Sequence, residues 1–260
     1  MVFRHWAVVI VLALHSSVAF AERAVFEGQI SKAPALTAKD IIVHAHAAAG
    51  GETWQKPRSL FMRGYAVFYR GAEATEYDRY EMSRVYPTSK TRAHAADGKV
   101  KIEAWRGAQR TFLIAFDGAH TYDANGRLNS EQANDRWSAS FGFGAIRHAL
   151  DAGWTQVRLP DDLVDGRPAY FIELTDPSGA MTRFGIEHET YRILYVGFDT
   201  DRGWHERHYS AFFTKPGVEW VQPGRVRLFY NGVKQNEVIW TDFSLDAQFG
   251  VGHFSPTPEG

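Results

Sequence analysis

The chain has 260 residues, no cysteine, and 29 basic against 30 acidic side chains, a net charge of −1 with histidines neutral. The missing cysteines exclude disulfides, cysteine-linked haem and thiolate metal sites, and charge this evenly balanced gives no nucleic-acid footprint. Aromatic residues reach 14 %, with 18 Phe, 11 Tyr and 8 Trp, a surplus that suits strands and apolar cavities equally.

Arg4 and His5 precede an unbroken apolar run, Trp6 to Leu14, and Val18-Ala19-Phe20-Ala21 then puts small residues at the two positions that a signal peptidase reads. These are the three parts of a cleavable export signal, residues 1–21, with cleavage expected after Ala21. The run is nine residues long, well short of the ~20 needed to cross a bilayer. Residues 22–260 then suffice for one large β domain whose core needs no disulfide staples. The expected location is the periplasm or beyond.

Glu22 to Leu36 carries Pro34 and reads as an extended lead-in. Thr37-Ala38-Lys39-Asp40 resembles a capping box with Asp in place of Glu, so a short helix is predicted from Thr37 until Gly50-Gly51 stops it. Its single weak apolar face marks a covering element. From Arg58 the period changes to two: Leu60, Met62, Gly64, Ala66 and Phe68 alternate with Phe61, Arg63, Tyr65, Val67 and Tyr69. Further strands are predicted at Thr75–Tyr86, Lys90–Ala95, Lys99–Trp105, Thr111–Phe116 and Ala119–Asp123, with Asp97-Gly98, Asp117-Gly118 and Asn125-Gly126 as turns. This makes a first meander of about six strands.

Ser130 to Ala152 breaks the alternation. Trp137, Phe141, Ile146, Ala149 and Leu150 recur at helical spacing, but Gly142 and Gly144 leave two short helices, or a helix and a loop, equally open. Seven more strands follow, from Trp154–Leu159 to Val233–Phe243, with turns at Asp165-Gly166, Pro177-Ser178-Gly179, Lys215-Pro216-Gly217 and Asn231-Gly232. The predicted class is α+β, mainly antiparallel β.

The order of elements, with Ala47–Tyr69 (HAAAGGETWQKPRSLFMRGYAVFY without its first residue), Asp165–Val196 and Pro223–Asp246 as local phrases, resembles the periplasmic lipoprotein-carrier superfamily, the LolA-like and LolB-like proteins. The resemblance covers nearly all of the chain after the export signal, and rests on hairpin and packing patterns, with no chemical signature. It implies an incomplete β-barrel or curved sheet covered by two helical segments. It also implies an apolar cavity for a lipid or for lipoprotein acyl chains, exchanged with membrane-associated donor or acceptor proteins. The face parity of the strands gives Leu60, Met62, Phe68, Ile102, Phe112, Ile114, Ile172, Phe184 and Leu228 as the expected cavity lining, and the insertion adds Trp137, Phe141 and Ile146. Trp137, Phe141 and Phe143 are suited to a lid over the cargo. No residue matches one that governs lipoprotein hand-over, so the cargo stays open.

A search for chemistry yields little. His44-x-His46 on a helix and His205-x-x-His208 on a strand point their rings in different directions. There is no Gly-x-Ser-x-Gly elbow and no Ser-x-x-Lys, and His188, between Glu187 and Glu189, sits in an expected turn. No cofactor, metal or catalytic residue is expected. Two alternatives stay open: a protein-binding sensory or scaffold module with a filled interior, and an enzyme with titratable groups converging in the cavity.

Overall fold

The computed structural model describes residues 36–96, 98–135, 137 and 141–257. The expected export signal, nearly all of the lead-in, and Asp97 of the expected Asp97-Gly98 turn lie outside the described residues.

Helix α1 (Ala38–Ala49) begins with the expected capping box: the Asp40 amide donates to Thr37 Oγ1 (3.2 Å), and the Asp40 carboxylate accepts the Thr37 N–H (3.0 Å). Ile41, Ile42 and Ala45 are fully buried. Gly50 turns the chain into α2 (Gly51–Gln55), whose buried residue is Trp54.

Thirteen strands follow among the described residues. The first six are β1 (Ser59–Arg70), β2 (Glu73–Val85), β3 (Lys99–Arg106), β4 (Gln109–Phe116), β5 (Thr121–Asp123) and β6 (Gly126–Arg127). The mid-chain insertion holds α3 (Glu131–Asp135) and a 3₁₀ helix (Phe143–His148). The remainder are β7 (Thr155–Val164), β8 (Arg167–Thr175), β9 (Met181–Glu187), β10 (Ile193–Thr200), β11 (Gly203–Ser210), β12 (Arg225–Tyr230) and β13 (Val233–Leu245). Asn231 and Gly232 both take positive φ (49° and 75°), as a two-residue hairpin turn of the primed kind requires.

All strands lie in one antiparallel sheet, ordered β6-β5-β4-β3-β2-β1-β13-β12-β11-β10-β9-β8-β7. The first and last strands are neighbours in the middle, and the free edges belong to β6 and β7, which are consecutive in the chain. The sheet is therefore open. The segment between those two edges has no choice but to cross from one side of the sheet to the other, and this makes the glycine-interrupted insertion a covering element by topology alone.

The expected strand Lys90–Ala95 is not formed. Its backbone groups are committed elsewhere: the Ala93 amide donates to Asp176 Oδ2 (2.6 Å), the His94 carbonyl accepts from Phe141 N–H, and the Ala96 amide donates to the Trp137 carbonyl. His94 Nε2 lies 2.8 Å from Thr182 Oγ1, and its ring stacks on Phe198 at 4.0 Å. The β2–β3 connection thus reaches across to β9 and β10, a second crossing of the open side.

Gly64 shows how tightly β1 and β13 meet. A Cβ there would lie 1.8 Å from the Ile239 carbonyl oxygen, where the register slips by one residue between Arg63 and Gly64. Because the obstruction is backbone, Gly64→Ala is expected to cost at least ~2 kcal/mol in urea-induced unfolding, at the upper part of the range for overpacking. A loss within ~0.5 kcal/mol, the ordinary scatter of surface substitutions, would mean that the two strands part freely at this point.

Candidate functional site

Directly opposed residues on neighbouring antiparallel strands share a face, so the register itself assembles the site. Met62, Met82, Ile102 and Ile114 form one row across β1–β4, and Leu60, Arg84, Val100 and Phe116 form the next. On the other side of β1, Tyr209, Val226, Val238 and Ala66 make a row through β11, β12 and β13, beside Arg207, Leu228, Asn236 and Phe68. Against this face lie Trp54 from α2, Phe143 and Arg147 from the 3₁₀ helix, and Trp220 from the β11–β12 connection. Between sheet and cover remains an apolar cavity of about 160 Å³.

The cover is fastened at a few points. His46 Nε2 donates to the Ile146 carbonyl at 2.7 Å, and burial lowers the pKa of that ring, which fits a neutral imidazole with its proton on Nε2. Arg147 Nε donates to the Trp54 carbonyl (2.8 Å), and its guanidinium sits 4.4 Å from the Trp54 ring centroid. Trp54 meets Phe143 edge-on at 6.1 Å, and the Val221 amide ties the 219–221 loop to the end of α1 through Ala49.

A second cavity, about 400 Å³, adjoins the first and shares Arg84, Tyr86, Phe141, Gly144 and Arg147 with it. Its wall adds Lys56, Arg58, Lys90 and His148, and no carboxylate of the described residues stands in either wall. The chemistry available is therefore burial of apolar surface next to positive charge. Among the described residues no group of three or more His, Asp or Glu side chains is arranged to hold a metal ion. His44 packs on Tyr191 while His46 reaches the Ile146 carbonyl, and His208 lies by Asp165 while His205 lies by Tyr230.

Of the residues expected to line a cavity, Leu60, Met62, Ile102, Phe141 and Leu228 stand in its wall. Phe68 lies next to Tyr80, which is in the wall, with ring centroids 5.9 Å apart, and Phe112 packs against Phe68 at 6.4 Å. Ile114 packs into a cluster around Val100 and Trp137. Trp137 is 6 % exposed, donates from Nε1 to Thr121 Oγ1 (3.0 Å), and stacks on Phe141 at 5.3 Å, so it supports a wall residue from outside the wall. Ile146 is fully buried within the cover. Ile172 and Phe184 oppose each other on β8 and β9, fully buried in the other half of the sheet.

Several wall residues had no place in the sequence expectation: Trp54, Arg84, Arg147, Tyr209, Trp220, Val238 and Trp240. Val238 and Trp240 sit two apart on β13, so the alternation rule applied to that strand would have found them. Arg147 follows no pattern that a sequence displays.

No protein-family profile matches the sequence, and no curated protein matches it. Solved structures do. A LolA-superfamily protein from Nitrosomonas europaea is similar over 85 % of this chain and 99 % of its own, with a TM-score of 0.51 and 15 % identity. A DUF1329-family protein from Desulfovibrio piger is similar over 84 % of this chain and 97 % of its own (TM-score 0.49, 11 % identity). A domain described as an outer membrane lipoprotein-sorting protein, from Vibrio parahaemolyticus, is similar over 82 % and 94 % (TM-score 0.47, 12 % identity). At such identities the likeness is one of fold. The fold is LolA-like: an open, mainly antiparallel sheet with helical segments laid over one face, as the sequence resemblance implied.

Proposed function

We propose that this protein is an exported, non-catalytic carrier that holds an acyl chain of a lipid or lipoprotein in the apolar cavity beneath its helical cover. The observation that carries the reading is a void where a two-layer core would be filled, walled by Met62, Ile102, Val226, Leu228 and Val238 on the sheet and by Trp54 and Phe143 on the cover. The LolA-like fold supports it, since carriers of that superfamily work in the periplasm, and so does the three-part export signal. Membrane-associated donor and acceptor proteins fit the same reading, which needs no cofactor and no nucleic acid.

Burial of each methylene contributes about 0.8 kcal/mol. The void of about 160 Å³ is close in size to an engineered apolar cavity of ~150 Å³ that admits benzene. A long chain therefore requires the cover to move outward. The fastenings at His46, Arg147 and Val221 are few enough for that motion, and their remaking would expel the cargo.

Native mass spectrometry of the mature protein from a periplasmic extract, before and after solvent extraction, tests the reading. A lipid mass lost on extraction is expected. Leu228→Asp is expected to arrive empty and to weaken a fluorescent fatty-acid probe by about a hundredfold, as a carboxylate desolvated against an acyl chain costs ~3 kcal/mol. Arg207, opposite on β11, gives the new carboxylate a partner, so the fold should survive. A clean protein mass with no probe uptake would sink the carrier reading in favour of a protein-binding module.

A further inference from the structure

The two cavities meet at a guanidinium. Arg147 is 8 % exposed and forms part of both walls, yet no carboxylate of the described residues pairs with it. Three other cations around the larger cavity differ in this respect: Lys56 pairs with Glu52 (3.2 Å), Arg58 with Asp246 (2.9 Å) and His148 with Asp151 (2.8 Å). Around Arg147 the neighbours are aromatic, with Trp54, Tyr86 and Trp220 at 4.4, 5.0 and 5.6 Å from its Cζ. Arg84, also in both walls, carries the same sign of charge. It lies over Tyr86 and Phe141 at 4.7 and 4.8 Å.

Two guanidinium groups in the same two walls, one of them buried with no carboxylate partner among the described residues, are costly, because a desolvated charge is tolerated when paired. Charge over the whole chain is nearly balanced, so this concentration of positive charge is local. An arginine pair also presents the forked donors that match carboxylate or phosphate oxygens. On one side of the pair lies the apolar void and on the other the larger, cation-rich cavity.

We infer that the ligand is an amphiphile with an anionic head, its carboxylate or phosphate held between Arg147 and Arg84 at the junction while its apolar tail occupies the space behind. The inference rests on the acyl-carrier reading and narrows it: neutral lipids such as long-chain alcohols and sterols are disfavoured, and a lipid acid or phospholipid is the fitting class. The tail enters past Phe141 with the head following, so charge at the junction halts the ligand at a fixed depth.

Calorimetric titration of the delipidated mature protein with three probes tests this: dodecanoate, dodecanol, and inorganic phosphate, the amphiphiles kept below their aggregation concentrations. Dodecanoate is expected to bind roughly tenfold or more tightly than dodecanol, as one charge-assisted hydrogen-bond pair supplies. Phosphate alone is expected to bind far more weakly than dodecanoate. Arg147→Met should collapse the dodecanoate-to-dodecanol ratio to about one; if that variant does not fold, Arg84→Gln, at a more accessible position, should reduce the ratio severalfold. Equal binding of dodecanoate and dodecanol by the unaltered protein would overturn the head-group inference and leave the acyl cavity standing. Phosphate binding as tight as dodecanoate's would make the junction a site for a free oxyanion and overturn the amphiphile. Binding of neither amphiphile would remove the carrier reading itself.

Discussion

Trp54→Ala is expected to lower the unfolding free energy by about 3–5 kcal/mol, the cost of truncating a large buried aromatic without collapse of the space it leaves. Trp54 is 1 % exposed and sits where all parts of the cover converge. His46 of α1 is 5.9 Å from its ring, Phe143 of the 3₁₀ helix meets it edge-on, and the Arg147 guanidinium lies over it. Helix α2 has only five residues, too short to persist through its own hydrogen bonds, so its place depends on this side chain. The guanidinium contact, made out of water, is worth up to ~2 kcal/mol alone. Collapse is hindered because one side of Trp54 already faces the apolar void. In thermal unfolding the substitution should lower the midpoint by roughly 10 °C or more for a domain of this length. Trp54→Phe, which keeps an aromatic face for Arg147, should lose less than half as much. A loss below ~1 kcal/mol for the alanine variant would show that the cover is held by its other contacts.

Much of the fold was legible because the signals were local. Asn231-Gly232 and Asp165-Gly166 need only their own backbone preferences to announce hairpins. The Leu60–Met62–Gly64–Ala66 parity holds the length of β1 because both irregularities in its pairing are absorbed by β2 and β13. Lys90–Ala95 failed because its partners are not a strand: an Asp176 carboxylate and the backbone of the insertion, more than 40 residues away, take up its hydrogen-bonding groups. The candidate site was half legible. Alternation says which face of a strand is buried, but not whether the space over that face is filled. Ile172 and Phe184 carry the same signal as Met62 and Ile102, yet they are fully buried on β8 and β9 and stand outside the cavity wall. Arg147 required the tertiary structure, since one arginine among glycines carries no period. The insertion's part as a cover was not stated by its composition; it follows from strand order, once β1 is known to pair with β13.

Acidification from pH 7.5 to 5 is expected to remove about 4 kcal/mol or more of stability through buried histidines, well before the carboxylates respond. Burial, reinforced by the charges of Arg207, His94 and Arg202, pushes His205 down to about 2. Burial likewise pushes His94 down to about 4, against the pull of the Asp176 carboxylate and with Lys90 adding to the shift; Thr182 and the Phe198 ring complete its surroundings. His205 is held neutral by its hydrogen bonds as well. Arg207 Nε donates to His205 Nε2 (3.1 Å), so that nitrogen must be the acceptor, and the proton sits on Nδ1, 3.1 Å from the Tyr230 hydroxyl. A second ring proton would face the Arg207 N–H directly. For a histidine whose folded pKa lies below the unfolded value of ~6.5, the unfolded chain takes up a proton that the folded chain refuses. Stability is then whole above ~6.5 and falls as pH drops towards the folded pKa, by about 2 kcal/mol at pH 5 for each of His205 and His94. Asp176 and Glu237 behave oppositely. Burial raises both, but hydrogen bonds from the Ala93, Ser178 and Ala180 amides and from Arg225 and Lys234 more than offset it, so their contribution is lost only below the ordinary carboxylate range. Urea unfolding between pH 7.5 and 5 should therefore follow the histidines alone. His205→Gln, neutral and still an acceptor for Arg207, is expected to start from a lower stability at pH 7.5 but to lose about 2 kcal/mol less over that interval. Parallel pH profiles for the variant and the parent would mean that His205 is not held neutral in the folded chain, and that the stack from His94 through Phe198 to His205 admits a proton without opening.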